Sequence, residues 1–112
     1  RSPSRGLGDV YKRQNLTKVD LIQFFSADRI FTCYQIAKWK PDPAIYLHAA
    51  KKMGFRPEDC VVIEDSTYGA QAATAGGFDV LIYANEQKKK NFSVEGQIYF
   101  DKMEELNNIL YY

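Results

Sequence analysis

The chain has 112 residues, 46% of them hydrophobic, and its 15 basic and 14 acidic side chains leave a formal net charge of +1. That near-neutral, ordinary composition argues for one soluble domain and against the basic electrostatic footprint of a nucleic-acid binder. No apolar run approaches a membrane span and no signal-peptide pattern precedes the domain, so neither a membrane nor secretion enters the reading.

Cys33 and Cys60 lie in dissimilar contexts without a metal-ligand spacing, and they read as reduced thiols of a cytoplasmic protein. Asn15-Leu16-Thr17 and Asn91-Phe92-Ser93 match the glycosylation pattern. Without a secretory signal they read as chance matches.

Residues 1–14 are basic, carry Gly6 and Gly8 and have no apolar period, which is the composition of a disordered arm or a foreign tail. Asp9-Val10-Tyr11-Lys12-Arg13-Gln14 resembles the translation of GAT GTG TAT AAG AGA CAG, the transposon end used in tagmentation libraries. We therefore expect a non-native tail at 1–14 and a domain at 15–112, and the basic residues of the tail carry no nucleic-acid signal.

Leu16, Val19, Ile22 and Phe25 recur at helical spacing, so residues 15–24 read as a short amphipathic helix. After a polar break at 26–29, Ile30-Phe31-Thr32 reads as a short strand; the stretch from there to Trp39 has no decisive period. Trp39 itself suits a hydrophobic plug beneath the loop or an aromatic lid over a substrate. In Trp39-Lys40-Pro41-Asp42-Pro43, the proline keeps Lys40 out of the helical region. Asp42 suits an N-cap and Pro43 the first helical position, so a helix is expected over 44–53, stopped by Gly54. Ile45, Leu47, His48 and Ala49 are its candidates for burial, with His48 in a packing role.

Arg56-Pro57-Glu58-Asp59-Cys60 has the composition of a turn leading into a strand, with Cys60 as a small buried residue at the strand's entrance. Val61-Val62-Ile63 is suited to a strand buried on both faces, and it breaks into two adjacent carboxylates, Glu64 and Asp65. Ser66 is a good N-cap for an alanine-rich helix over 67–75, closed by Gly76 and Gly77. Both acids thus stand at the carboxyl end of a parallel strand, the edge where open α/β sheets bind ligands. Two carboxylates about 4 Å apart repel by roughly 4 kcal/mol at an effective dielectric near 20, so a buried pair needs a cation or a shared proton. Magnesium is held by one or two carboxylates together with phosphate and water, and this tip can supply the carboxylates. The plainer reading is that acids ahead of a helix favour its dipole and are solvated.

Phe78-Asp79-Val80-Leu81-Ile82-Tyr83 reads as the next parallel strand, reached by a right-handed crossover through the alanine-rich helix. Residues 84–95 read as a polar loop in which Lys88-Lys89-Lys90 is a solvated run, with a phosphate-attracting rim as the alternative. Ile98-Tyr99-Phe100 adds a short strand, and Asp101-Lys102-Met103-Glu104 has capping-box form ahead of a helix through Leu106 and Leu110.

Lys40-Pro41-Asp42-Pro43 with its helix, followed by Val61-Val62-Ile63-Glu64-Asp65-Ser66 and Gly69, resembles the third and fourth motifs of the haloacid dehalogenase-like hydrolases. Within them the sequence is most similar to the β-phosphoglucomutase-like phosphatases, and the run 39–49 to bacterial 6-phosphogluconate phosphatases. The resemblance implies an α/β fold: a partial Rossmann-like core, a parallel sheet flanked by helices, without the first two strands and the helical cap. It implies that Lys40 is the catalytic and phosphate-binding lysine and that Glu64 and Asp65 bind Mg2+. Ser66 would cap the helix and orient the acidic loop, and Gly69 would let the helix pack closely on the sheet. The implied reaction is hydrolysis of a small phosphorylated metabolite, a sugar phosphate or a sugar-acid phosphate such as 6-phosphogluconate, through an aspartyl-phosphate.

The family's first motif, Asp-x-Asp-x-Thr, supplies the nucleophile, and no stretch of the 112 residues matches it. The second motif and the cap have no match either. The expectation is therefore the carboxyl-terminal part of a phosphatase, inactive alone, with an exposed edge beside the Val61 strand and poor solubility. A phosphomutase of the same architecture is the alternative, since the cap decides between water and a second sugar as acceptor. A receiver-like α/β module also gathers acids and a lysine around magnesium, but its lysine comes last in the chain and Lys40 comes first.

Overall fold

A computed structural model describes residues 26–92 and 97–111. The expected tail at 1–14 and helix at 15–24 lie outside the described residues. The chain divides after Lys38 into two compact units. In the first, a 3-10 turn at Ala27–Arg29 leads to a one-turn helix, α1 (Cys33–Ile36). Ile30-Phe31-Thr32 is therefore not the strand expected of it. Three extended residues become a strand only when a ladder forms, and the described sheet consists of other segments. Thr32 instead precedes α1, its N–H donating to Gln35 Oε1 at 3.2 Å.

The second unit runs α2 (Ala44–Met53), a 3-10 turn (Pro57–Asp59), β1 (Val61–Glu64), α3 (Thr67–Ala75), β2 (Asp79–Tyr83), α4 (Glu86–Lys89), β3 (Ile98–Phe100), a 3-10 turn (Met103–Glu105) and α5 (Leu106–Leu110). Among the described residues the sheet has three parallel strands in the order β1-β2-β3, with Val62 level with Val80 and Ile82 level with Tyr99.

Period-two alternation sorts these strands into two faces. Val62, Val80 and Ile82 pack with Ala50 of α2, Ala70 and Ala73 of α3, and Phe78 and Ala84 as one buried cluster. Alanines make this possible, because α3 presents no side chain longer than a methyl group toward the strands at Ala70, Ala72 and Ala73. The opposite face is barely covered at β1: Val61 and Ile63 remain 45% and 44% exposed. Burial on both faces, expected for Val61-Val62-Ile63, is thus corrected to alternation, since a strand is dry on both sides only where helices lie on both sides. Further along that face, Val61, Leu81, Ile98 and the α5 residues Ile109 and Leu110 line a groove of about 410 Å3.

Other local expectations shift. Pro43, not Asp42, is the N-cap of α2, although Asp42 Oδ1 still accepts from the Ala44 N–H at 2.8 Å. Gly54 ends α2 in the left-handed region at φ 83°. Leu47 is exposed, while Tyr46 turns inward and meets the Phe78 ring edge-on, centroids 6.0 Å apart. The lysine run is not plain loop. Asn85 Oδ1 accepts from the Lys88 N–H at 2.8 Å and starts α4, where Lys89 pairs with Glu86 at 3.2 Å. The capping box at 101–104 does not form; a 3-10 turn enters α5 without a side-chain cap.

Candidate active site

Alternation along β1 decides which acid goes where. Val62 faces the helices, so Glu64 does too, and its side chain is only 9% exposed. Asp65, one residue past the strand, is exposed and has no side-chain hydrogen bond or ion pair among the described residues. The pair that looked like one doubly charged tip is therefore an inward acid beside an outward one.

A buried carboxylate needs its charge met, and five donors converge on Glu64. The Asp65 N–H, the Ser66 N–H and the Ser66 Oγ–H reach Oε1 at 3.1, 3.2 and 3.1 Å. Lys40 Nζ donates to Oε2 at 3.0 Å, and the Tyr46 hydroxyl donates to the same oxygen. Burial alone would push the Glu64 carboxyl up, but the hydrogen bonds from Tyr46 and Lys40 and the lysine's charge outweigh it and hold the group at about 2. Burial would pull the Lys40 ammonium down; Tyr46 and Glu64 reverse this and raise it above its ordinary value. The Tyr46 hydroxyl is pushed up to about 12 by burial and by the carboxylate it faces.

Each donor reaches the tip for a local reason. Lys40 stands just ahead of α2, at a cis bond to Pro41. Tyr46 occupies the first turn of α2, one turn from Ala50 on the same inward face. Ser66 both caps α3, accepting from the Gly69 N–H at 3.0 Å, and ties Glu64 through its hydroxyl proton. Gly69 is required by close approach: a Cβ there would lie 2.0 Å from Glu64 Cδ. Its absent side chain makes room for the carboxylate itself, a more specific need than helix-on-sheet packing.

The structure thus brings Lys40, Glu64, Ser66 and Gly69 together and leaves Asp65 facing outward beside them. Lys40 is the cation that the buried acid demanded. The sequence reading missed Tyr46, because its inward face is set by the packing of α2 on the sheet and no local signal marks it. Among the described residues no three His, Cys, Asp or Glu side chains gather as a metal cluster. His48 is half-buried in α2 and Trp39 half-buried beside Lys40 in sequence.

The ionisation of Glu64 has a measurable consequence. Its folded value lies below the ordinary 4.5, so its contribution is complete above that pH and is lost as pH falls toward about 2. The loss amounts to roughly 3 kcal/mol. Lys40 works on the other side: its contribution is complete below 10.5 and is lost as pH rises past its raised folded value. Denaturant midpoints taken from pH 5 to pH 2 should fall steeply, and Glu64→Gln should flatten that slope; an equal slope in the variant would refute the assignment.

Parallel strands flanked by helices, with the polar groups gathered where β1 ends, define a Rossmann-like α/β domain. Its family is narrower: the chain belongs to the haloacid dehalogenase-like hydrolases, whose family model matches residues 9–77. It is 35% identical over 78 residues to the 6-phosphogluconate phosphatase of Escherichia coli K12, an alignment covering 70% of this chain and 35% of that protein. It is 39% identical over 54 residues to a fructose-1-phosphate phosphatase of the same organism, covering 48% of this chain and 29% of that one. A crystal structure of a conserved haloacid dehalogenase-like protein from Agrobacterium tumefaciens superposes with a TM-score of 0.71 at 27% identity, over 86% of this chain and 46% of that one. The chain spans well under half the length of each of the two phosphatases and a little under half of the third protein. No helix among the described residues is long and apolar enough to cross a membrane.

Proposed function

We propose that the protein carrying this chain is a magnesium-dependent phosphatase of small phosphorylated metabolites, a sugar phosphate or a sugar-acid phosphate such as 6-phosphogluconate. The observation that carries the reading is the Lys40 ammonium 3.0 Å from Glu64 Oε2, beside the outward Asp65, at the carboxyl end of a parallel strand in a haloacid dehalogenase-like chain. The donor set fits a magnesium ion: Asp65 is a hard, exposed oxygen ligand with no competing partner among the described residues, and such ions take one or two carboxylates plus phosphate and water. When bound, the ion would neutralise phosphoryl oxygens.

Asp65 would hold the metal, and Glu64 would serve it from behind. Both oxygens of Glu64 already accept from the protein, so its part is to fix Lys40 and the loop that presents Asp65. Lys40, with donor capacity beyond the one bond to Glu64, would meet a phosphate oxygen and steady the carboxylate that attacks it. That nucleophile would be the first aspartate of an Asp-x-Asp-x-Thr motif, forming an aspartyl-phosphate that water then cleaves. No such motif occurs in the 112 residues, so the chain alone should release no phosphate. Residues 1–14 would stand outside the enzyme as a non-native tail, residues 15–112 would form the carboxyl-terminal part of its core, and the enzyme would work in the cytoplasm.

Phosphate release from a panel of sugar phosphates and sugar-acid phosphates, with and without magnesium, tests the reading on the enzyme that contains this chain. Turnover should require magnesium and favour one compound class. Equal turnover in excess chelator would overturn the metal dependence, and no turnover of any monoester would overturn the activity.

A further inference from the structure

Tyr46 lies in the helix that follows Lys40-Pro41-Asp42-Pro43 and has no role assigned by the family resemblance, yet its hydroxyl shares Glu64 Oε2 with Lys40 Nζ. It is also the platform on which the lysine rests, with Nζ 5.1 Å from the ring centroid. The ring is held in turn by Phe78 of the core cluster, edge to face at 6.0 Å. Two contacts from one rigid side chain therefore define where the ammonium stands, one from the ring face and one through the shared oxygen. The same hydroxyl is one of the donors that hold the Glu64 carboxylate turned into the protein.

We infer that Tyr46 is a positioning residue: it fixes Lys40 at the strand tip and keeps Glu64 turned into the protein, leaving Asp65 as the acid that faces a ligand. The inference rests on the phosphatase reading for its catalytic consequence, though its structural half stands without it. A flexible lysine held only by a carboxylate samples many rotamers. One laid across a packed ring and hydrogen-bonded to an oxygen that the ring's own hydroxyl also holds samples few.

Tyr46→Phe tests this, since it keeps the ring, the Phe78 contact and the cation–π platform and removes only the hydroxyl. In the parent chain the Lys40 ammonium should give a distinct, slowly exchanging 15N–1H signal. In Tyr46→Phe, with the backbone spectrum otherwise preserved, that signal should broaden away. In the enzyme that contains this chain, Tyr46→Phe should lower kcat by about ten- to a hundredfold, as misplaced groups do, and leave KM within about twofold.

An unchanged ammonium signal or an unchanged kcat in Tyr46→Phe overturns the inference. Should Tyr46→Phe fail to fold, 3-fluorotyrosine at position 46 takes its place: it keeps the hydroxyl and makes it a stronger donor. The Lys40 signal should then shift, and an unmoved signal refutes the role. If the enzyme hydrolyses no phosphate ester, the functional reading has failed, while the ammonium signal still decides what Tyr46 does.

Discussion

Asp65→Ala should lower turnover of a phosphate monoester by about a thousandfold in the enzyme that contains this chain, the scale of losing a group that stabilises transferring charge. The same substitution should leave the melting temperature where it was. The two halves of this expectation come from one observation, that Asp65 is exposed and without a side-chain partner among the described residues. Exposed positions without partners contribute little to stability, within about 0.5 kcal/mol. A residue whose removal abolishes activity without touching the fold is committed to a ligand. Glu64→Ala, by contrast, should damage both, because it strands the Lys40 ammonium and the Ser66 donors in a half-buried pocket. Steady-state kinetics beside a thermal melt separates the two acids. Activity retained in Asp65→Ala would remove the metal role, and a melt lowered as far as that of Glu64→Ala would show that Asp65 has partners of its own.

Gly69→Ala should destabilise the folded chain by about 3 kcal/mol or more, a large effect for one methyl group on a helix. Helix propensity points the other way, since alanine in a helix interior is favoured over glycine by about 1 kcal/mol. Geometry decides between them. The new Cβ would stand 2.0 Å from Glu64 Cδ and 2.1 Å from Oε2, inside the space the carboxylate fills. Either α3 lifts from β1, opening the packing of Ala70 and Ala73, or Glu64 leaves its five donors and takes the Lys40 pairing with it. Both routes reach the site, so the variant should also lose the acid-side slope that Glu64 confers. Denaturant midpoints at neutral and acidic pH measure both effects. Stability equal to or above the parent would mean that the carboxylate does not sit against Gly69.

Much of this was legible before any coordinates, and for local reasons. The helix at 44–53 is bounded by Pro43 and Gly54, and that at 67–75 by Ser66 and Gly76; caps act over one turn, and the observed α2 and α3 have these bounds. The adjacent Glu64 and Asp65 after an apolar run marked the strand tip for the same reason. Ile30-Phe31-Thr32 misled because a strand is a property of two segments, and one of them cannot be read alone. Lys88-Lys89-Lys90 misled because a single side-chain cap, Asn85, is enough to turn charged loop into helix.

The order of the motifs, the side-chain chemistry at the tip and the strand-to-helix turn were determined by sequence, since each is written within a dozen neighbouring residues. The division of labour between the two acids was not. Which of Glu64 and Asp65 turns inward depends on the pleat of β1 against α2 and α3, and the compensating charge for the inward one comes from Lys40, 24 residues earlier in the chain. Tyr46 and the glycine that makes room for the carboxylate acquire their meaning only from that packing, because hydrogen bonds and steric contacts act over a few ångströms of space whatever the distance along the chain.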